Sequence, residues 1–313
     1  MVKKLMLGKL PVASWHKNLL IAAIIFTTLL IAMGGILCVT QSIRSCPDWP
    51  GCFGKILPPM EVSPILEMTH RLVAGISGLL ILASAIAGAI RSRGLRWIMI
   101  PPIITCLLVV EVSYLGAQVV LRGITPGWAA VDLGSALMVP ALLVASAVFA
   151  NVYNSNPSKS PKLTFRSPFS KLVLVTTLII YGVLVSGVLV AGKNTITSCL
   201  CWPVYSSLLF QVDLPGIGNA ARLIFSGIGI ILLVSVLVQT FRSQHQNRII
   251  FRNALWVGAI FLIEMLLQGL LLIFHFNIFL QVAYTVTMAS FWAVLMSLAV
   301  NSGIELEAKS NSE

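Results

Sequence analysis

Apolar residues gather into eight long runs along this chain, at approximately 18–39, 70–90, 97–121, 128–151, 171–192, 221–241, 252–274 and 278–300. A helix of about 20 apolar residues crosses the hydrocarbon core of a bilayer, so each run predicts one transmembrane helix. The first run lacks a small-residue cleavage site and reads as a retained helix, not a signal peptide. Two of the intervening polar stretches are long, near 40–66 and 193–217.

Charge gives this pattern a direction. Lys3, Lys4, Lys9 and Lys17 precede the first run, and Arg91, Arg93 and Arg96 follow the second. Lys159, Lys162, Arg166 and Lys171 fill the fourth connection, and Arg242, Arg248 and Arg252 the sixth. The alternate connections hold only Arg44, Lys55, Arg122 and Lys193. By the positive-inside rule both termini are expected in the cytoplasm, in an inner or plasma membrane, with the two long loops outside. Disulfides persist on that side, and four of the six cysteines, Cys46, Cys52, Cys199 and Cys201, fall there.

Composition agrees with a membrane chain. Of 313 residues, 58% are hydrophobic and 10% charged, with mean hydropathy +0.95; a soluble domain carries about 25% charged residues. The formal net charge of +11 comes from basic loops between apolar runs. Topology accounts for it, so lipid and not nucleic acid is the expected surround.

The chain also repeats itself. "SCPDWPGC" at 45–52 returns as "SCLCWPVY" at 198–205, placing Cys46 on Cys199, Trp49 on Trp202 and Pro50 on Pro203. "HRLVAGISGLLIL" from His70 returns as "ARLIFSGIGIILL" from Ala221, and Glu111 and Gly116 return as Glu264 and Gly269. The offset holds at 151 to 153 residues. The predicted fold is therefore all-α, with eight transmembrane helices in two tandem four-helix bundles. An even number of helices per unit implies a pseudo-two-fold along the membrane normal. The expected divisions are an N-terminal half at 1–153, a cytoplasmic linker at 154–169, a C-terminal half at 170–302 and a cytoplasmic tail at 303–313.

Candidate chemistry concentrates where the second run opens. Glu67 and His70, spaced i, i+3, share a helix face, and Arg71 follows. They form either a satisfied polar helix end or a functional cluster, since ionisable groups in membrane helices are costly. An imidazole in a four-helix bundle suits heme iron, and a neighbouring cation suits a propionate. Cys46 and Cys52 are a structural disulfide or a redox pair. Cys199 and Cys201 flank a single residue, too close for an ordinary mutual bridge; they are free thiols or pair elsewhere, with Cys38 as one candidate. Glu111 and Glu264 are buried carboxylates that carry protons, bond a cofactor edge or serve packing, and Asp132 is a further carboxylate. Of the other histidines, His16 and His245 fall at the cytoplasmic side, and His275 in the other half.

"CPDWPGCFGKILPP", then "EMTHRLVAG", then a second copy with "CWP" and "ARL", resembles the heme A synthase family of cytochrome oxidase assembly over nearly the whole chain. The resemblance implies oxidation of the C8 methyl of heme O to the formyl of heme A. Substrate heme would lie in the N-terminal half and a heme b cofactor in the C-terminal half. Each half would supply one histidine from its second helix and one from its fourth. It implies catalytic roles for Glu67 and His70, with His70 on heme iron, Arg71 beside it, and an outer Cys46/Cys52 pair. The other three ligand positions depart from the pattern: Asp132, Ala221 (before Arg222) and Tyr284 stand where the family has histidine. Asp132, Arg222 and Tyr284 are accordingly the remaining candidate cofactor contacts. The alternative is a non-catalytic heme-binding, assembly or redox subunit using His70 alone. Heme O synthase and oxidase assembly proteins are the protein partners the resemblance implies.

Overall fold

The computed structural model describes residues 12–156, 159–190, 199, 202, 217–274 and 277–308. Within these, the helices are α1 (Ser14–Val39), α2 (Val62–Arg91), α3 (Arg96–Leu121), α4 (Pro126–Ser155), α5 (Pro168–Val190), α6 (Ile217–Ser243), α7 (Arg248–Ile273) and α8 (Ile278–Gly303). Two short strands, β1 (Lys159–Leu163) and β2 (Ile304–Ala308), complete the elements. Each of the eight helices contains a segment long and apolar enough to cross a membrane. The chain is a multi-pass membrane protein.

Local chemistry sets the helix starts. α4 opens on Pro126, whose missing N–H costs nothing in a first turn. The Asn247 side chain accepts from Ile250 N–H to open α7, and Asn277 accepts from Phe279 N–H to open α8. α2 and α4, at 30 residues each, span about 45 Å, well beyond the hydrocarbon core.

Packing follows two closed circuits. α1–α2–α3–α4 return through α1 against α4, and α5–α6–α7–α8 return through α5 against α8. The circuits meet where α8 packs on α1 and α4, and α4 packs on α5. At this seam Gly35 lets α1 approach closely: a Cβ there would stand 2.8 Å from Thr285 Cβ on α8. Trp292 of α8, fully buried, donates its Nε1–H across the seam to the Leu137 carbonyl of α4 at 2.8 Å. Large apolar side chains such as Ile21, Ile25 and Leu29 face outward. Interior hydroxyls (Thr27, Ser77, Thr105, Thr177) instead bond the carbonyl four residues back, which satisfies them without water.

Antiparallel pairing of Lys159–Leu163 with Ile304–Ala308 joins the expected linker to the expected tail. This small sheet marks one end of the molecule, and the disulfides mark the other. Gly303 permits the junction, because a Cβ there would meet the Phe165 ring at 2.5 Å.

Overpacking a tight core site costs about 1–3 kcal/mol. Gly35→Leu is therefore expected to lower the thermal midpoint in detergent by several degrees. Gly75→Leu, where nothing lies within 4 Å, is expected to leave it unchanged or raise it. Equal midpoints would show that the α1–α8 approach does not limit stability.

Candidate functional site

The loop before α2 is built around one disulfide and one carboxylate. Cys46 and Cys52 are bonded, with Cα atoms 4.8 Å apart. Cys52 and Lys55 exchange backbone hydrogen bonds around Phe53 and Gly54, both with positive φ (53° and 71°), the geometry of a type I′ turn. Asp48 caps this turn, its carboxylate accepting from Phe53 N–H and Gly54 N–H at 2.6 Å each. The Gly54 bond above all holds the Asp48 carboxyl below its ordinary range, against a smaller opposing effect of desolvation. A Cβ on Gly51 would collide with the Lys55 carbonyl at 2.8 Å, so the turn requires glycine there. The Trp49–Pro50 peptide bond is cis, and Trp49 is 47% exposed.

Glu67 and Arg71 fasten this loop to α2. Glu67 is buried; one carboxylate oxygen accepts from Cys46 N–H at 2.9 Å and the other pairs with Arg71 Nη2 at 2.5 Å. Arg71 Nη1 donates to the carbonyls of Asp48 (2.8 Å), Pro50 (3.2 Å) and Gly51. Both terminal nitrogens of Arg71 are thus engaged by the loop and Glu67, so the guanidinium serves as a clamp here.

Below the clamp the N-terminal circuit carries polar groups without protein partners. His70 Nδ1 on α2 and Asp132 Oδ1 on α4 are buried and bond nothing. α2 and α4 lie diagonally across the circuit. His70 and Asp132 sit about 12 and 9 Å from their helix starts, at the same end. Glu111 on α3 bonds Ser135 Oγ at 3.1 Å and lies within electrostatic reach of Asp132. The ring of His70 faces Gly34 on α1, its Cε1 3.7 Å from where a Cβ would stand, and Gly116 on α3 has nothing within 4 Å of that position. The buried apolar cluster of this half (Leu20, Ala23, Ile81, Val139 and Leu143) lies toward the sheet end, below His70. The residues fit a heme in two respects: an imidazole nitrogen lacking a partner, and glycines beside it.

The C-terminal circuit differs at its ligand positions and in the placement of its loop tryptophan. Trp202, from the second long loop, is 1% exposed and sits inside the bundle. Its ring packs on Phe261 of α7 (5.6 Å between centroids) and Phe291 of α8 (5.7 Å). It also faces Gly229 of α6, where a Cβ would stand 3.3 Å from Cζ2. Tyr284 is fully buried; its hydroxyl donates to the Trp202 carbonyl at 2.8 Å and accepts from the Trp202 N–H at 3.1 Å. Ala221 offers iron no donor atom, and the buried Arg222 donates Nε–H to the Val183 carbonyl at 3.3 Å. Glu264 is buried, with the Thr287 side chain beside its carboxylate. The residues here do not fit a heme: the phenol in a ligand position is engaged by backbone, and an indole fills the space between the helices.

Cys199, three residues before Trp202, is bonded to Cys38 at the end of α1, with Cα atoms 5.5 Å apart. Of the pairings left open for Cys199, this is the one found; Cys201 and His275 lie outside the described residues. The repeated Trp-Pro string is legible on both loops, but the inward turn of Trp202 is not. Its one signal was that Tyr205 replaces the second cysteine, so the second loop cannot close on itself as the first does.

A membrane protein with eight spanning-length helices among its described residues, and an imidazole under a disulfide-closed loop, is the class that fold and site define. The COX15-CtaA family, described as cytochrome oxidase assembly protein, matches residues 17–296, and the chain belongs to it. Among curated relatives, heme A synthase of Alkalihalophilus pseudofirmus is 24% identical over 272 residues, covering 84% of this chain and 89% of the relative. Heme A synthase of Geobacillus thermodenitrificans is 24% identical over 295 residues, covering 91% and 89%. That of Halalkalibacterium halodurans is 22% identical over 243 residues, covering 77% and 80%.

Breaking a buried ion pair by removing one partner costs about 3–5 kcal/mol. Arg71→Ala is expected to speed amide exchange across residues 46–54 by at least 100-fold, and Arg71→Lys to recover little of it, because one ammonium cannot span Glu67 and three carbonyls. Unchanged exchange in Arg71→Ala would refute the clamp. Asp48 has a lowered folded-state pKa, so its cap is fully present above the ordinary carboxylate range and is lost as pH falls through the lowered value. Protection of the Phe53 and Gly54 amides should be flat from pH 8 to 5 and decline below about pH 4.

Proposed function

We propose that this chain performs heme A synthase chemistry on a heme O substrate that its N-terminal half would hold through His70. The C8 methyl would become a formyl group. The half-reaction is –CH3 + H2O → –CHO + 4 H⁺ + 4 e⁻, and an oxidant from outside the chain, such as two equivalents of a membrane quinone, would take up the four electrons. The observation that carries this reading is the buried His70 nitrogen without a partner, under a loop fastened by Glu67 and Arg71. Family membership and relatives named heme A synthase support the reaction. Asp132, diagonal to His70 and likewise lacking a partner on one oxygen, would be the second residue to face the bound heme. Glu67 positions the Cys46–Cys52 loop over the site. The orientation proposed with this function puts both termini in the cytoplasm and the disulfides outside, with the two circuits related by a pseudo-two-fold along the membrane normal. Heme O synthase and oxidase assembly proteins are the proposed neighbours.

One observation favours a second reading, a heme-binding assembly subunit without catalysis. The C-terminal circuit lacks the ligands that a second, electron-accepting heme would use, since Ala221 and the engaged Tyr284 stand there.

Pigment extraction from cells lacking their own heme A synthase, but supplying heme O, decides between these. Heme A formed with the wild-type chain and lost with His70→Ala is the expected result. Bound heme O without heme A would select the second reading, and a colourless purified protein would sink both.

A further inference from the structure

We infer that Trp202 is an internal stopper: it closes the C-terminal half-bundle, and that half takes up no heme. The inference concerns the half opposite His70 and does not depend on the proposed reaction.

The internal repeat supplies the comparison. Trp49 and Trp202 hold the same position in the repeated string, yet Trp49 is 47% exposed and Trp202 1%. Gly78 and Gly229 are likewise equivalent. In the N-terminal half a Cβ on Gly78 would meet only Val109, at 3.9 Å, whereas on Gly229 it would meet the Trp202 indole at 3.3 and 3.4 Å. The bundle has therefore brought a small residue against the indole, and Phe261 and Phe291 cover it further. The indole belongs to the main buried core of the chain, with Val183, Leu184, Leu233 and Met288. A tetrapyrrole cannot share that space.

Two fastenings hold the stopper. Its backbone N–H and carbonyl are both bonded by the Tyr284 hydroxyl, so the group that would otherwise face iron is part of the closure. Three residues upstream of Trp202, the Cys38–Cys199 disulfide ties Cys199 to α1 of the other half. The consequence is a stoichiometry of one heme per chain at most, and no heme relay through this half for electrons released near His70.

Heme content of the full-length protein, purified after heme-supplemented expression, tests this directly. His70→Ala is expected to carry no heme; about one heme per His70→Ala chain, or two per wild-type chain, would overturn the inference. A wild-type content of zero would sink the proposed function and leave the stopper standing. In the His70→Ala background, Ala221→His, which leaves the Tyr284 fastening intact, is expected to take up no heme while Trp202 is present, and one with an imidazole-ligated spectrum once Trp202→Gly is added. Equal uptake with and without Trp202, or none in a folded Trp202→Gly variant, would refute the stopper. Should those variants fail to fold, acrylamide quenching of the wild-type minus Trp202→Phe fluorescence gives the answer. A shielded Trp202 signal is expected, and one quenched as readily as the wild-type minus Trp49→Phe signal would overturn the claim.

Discussion

The hydrocarbon core supplies no water, so every polar atom inside it must find a partner within the chain or stand at a cost of several kcal/mol. Most of this protein obeys that constraint visibly. Serine and threonine hydroxyls turn back on their own helices, and Trp292 reaches across the seam to Leu137. Tyr284 satisfies both polar groups of the Trp202 backbone. Arg71, at the rim, answers three loop carbonyls and Glu67 at once. His70 Nδ1 and Asp132 Oδ1 are among the buried atoms that the chain leaves without a partner, as are Trp202 Nε1 and Ser226 Oγ in the other half. Of these, His70 Nδ1 belongs to an imidazole, the group that suits heme iron.

The asymmetry between the halves begins with covalent partners. Cys46 closes on Cys52 within its own loop, and the small ring so formed leaves its tryptophan outside. Cys199 bonds instead to Cys38 on the first helix of the other half, and the tryptophan three residues on lies within the bundle. One repeated string therefore yields a lid in one half and a core residue in the other. The cross-link also reinforces the α1–α8 and α4–α8 seam, where Gly35 and Trp292 already bring the two circuits into close contact.

Helix number and type were legible because twenty-residue apolar runs permit little else in a bilayer. Their ends were less so. The second run reads as beginning at His70, yet α2 begins at Val62, because the Cys loop covers Glu67 and lets polar residues join the helix. The Glu67, His70 and Arg71 cluster was visible as a spacing, but its division of labour was not. Nothing in the sequence says that Arg71 turns to the carbonyls of Asp48, Pro50 and Gly51 while His70 turns inward. The pairing of Lys159–Leu163 with Ile304–Ala308 was hidden for a different reason. It joins two segments far apart in the chain: Ile304–Ala308 alternates apolar and polar residues as a strand does, but its partner Lys159–Leu163 contains Pro161 and has no such alternation.

Filling one half with protein changes what the other half must do. Oxidising a methyl group to a formyl releases four electrons, and a heme in the adjacent bundle would be a natural first acceptor. Here that bundle is packed with Trp202, Phe261 and Phe291, and its ligand positions hold Ala221 and a tyrosine already bonded to backbone. Aromatic side chains of this kind do not store electrons at the potentials of a heme, so the tryptophan core is no substitute. If the N-terminal half oxidises its heme, the acceptor must reach that half itself. The loop clamped by Glu67 and Arg71 covers one end of that half, and the outer faces of α2 and α3 present Leu72, Leu79, Leu107, Val110 and Tyr114 to the bilayer. The chemistry of this chain therefore turns on what meets those faces as much as on the lone imidazole.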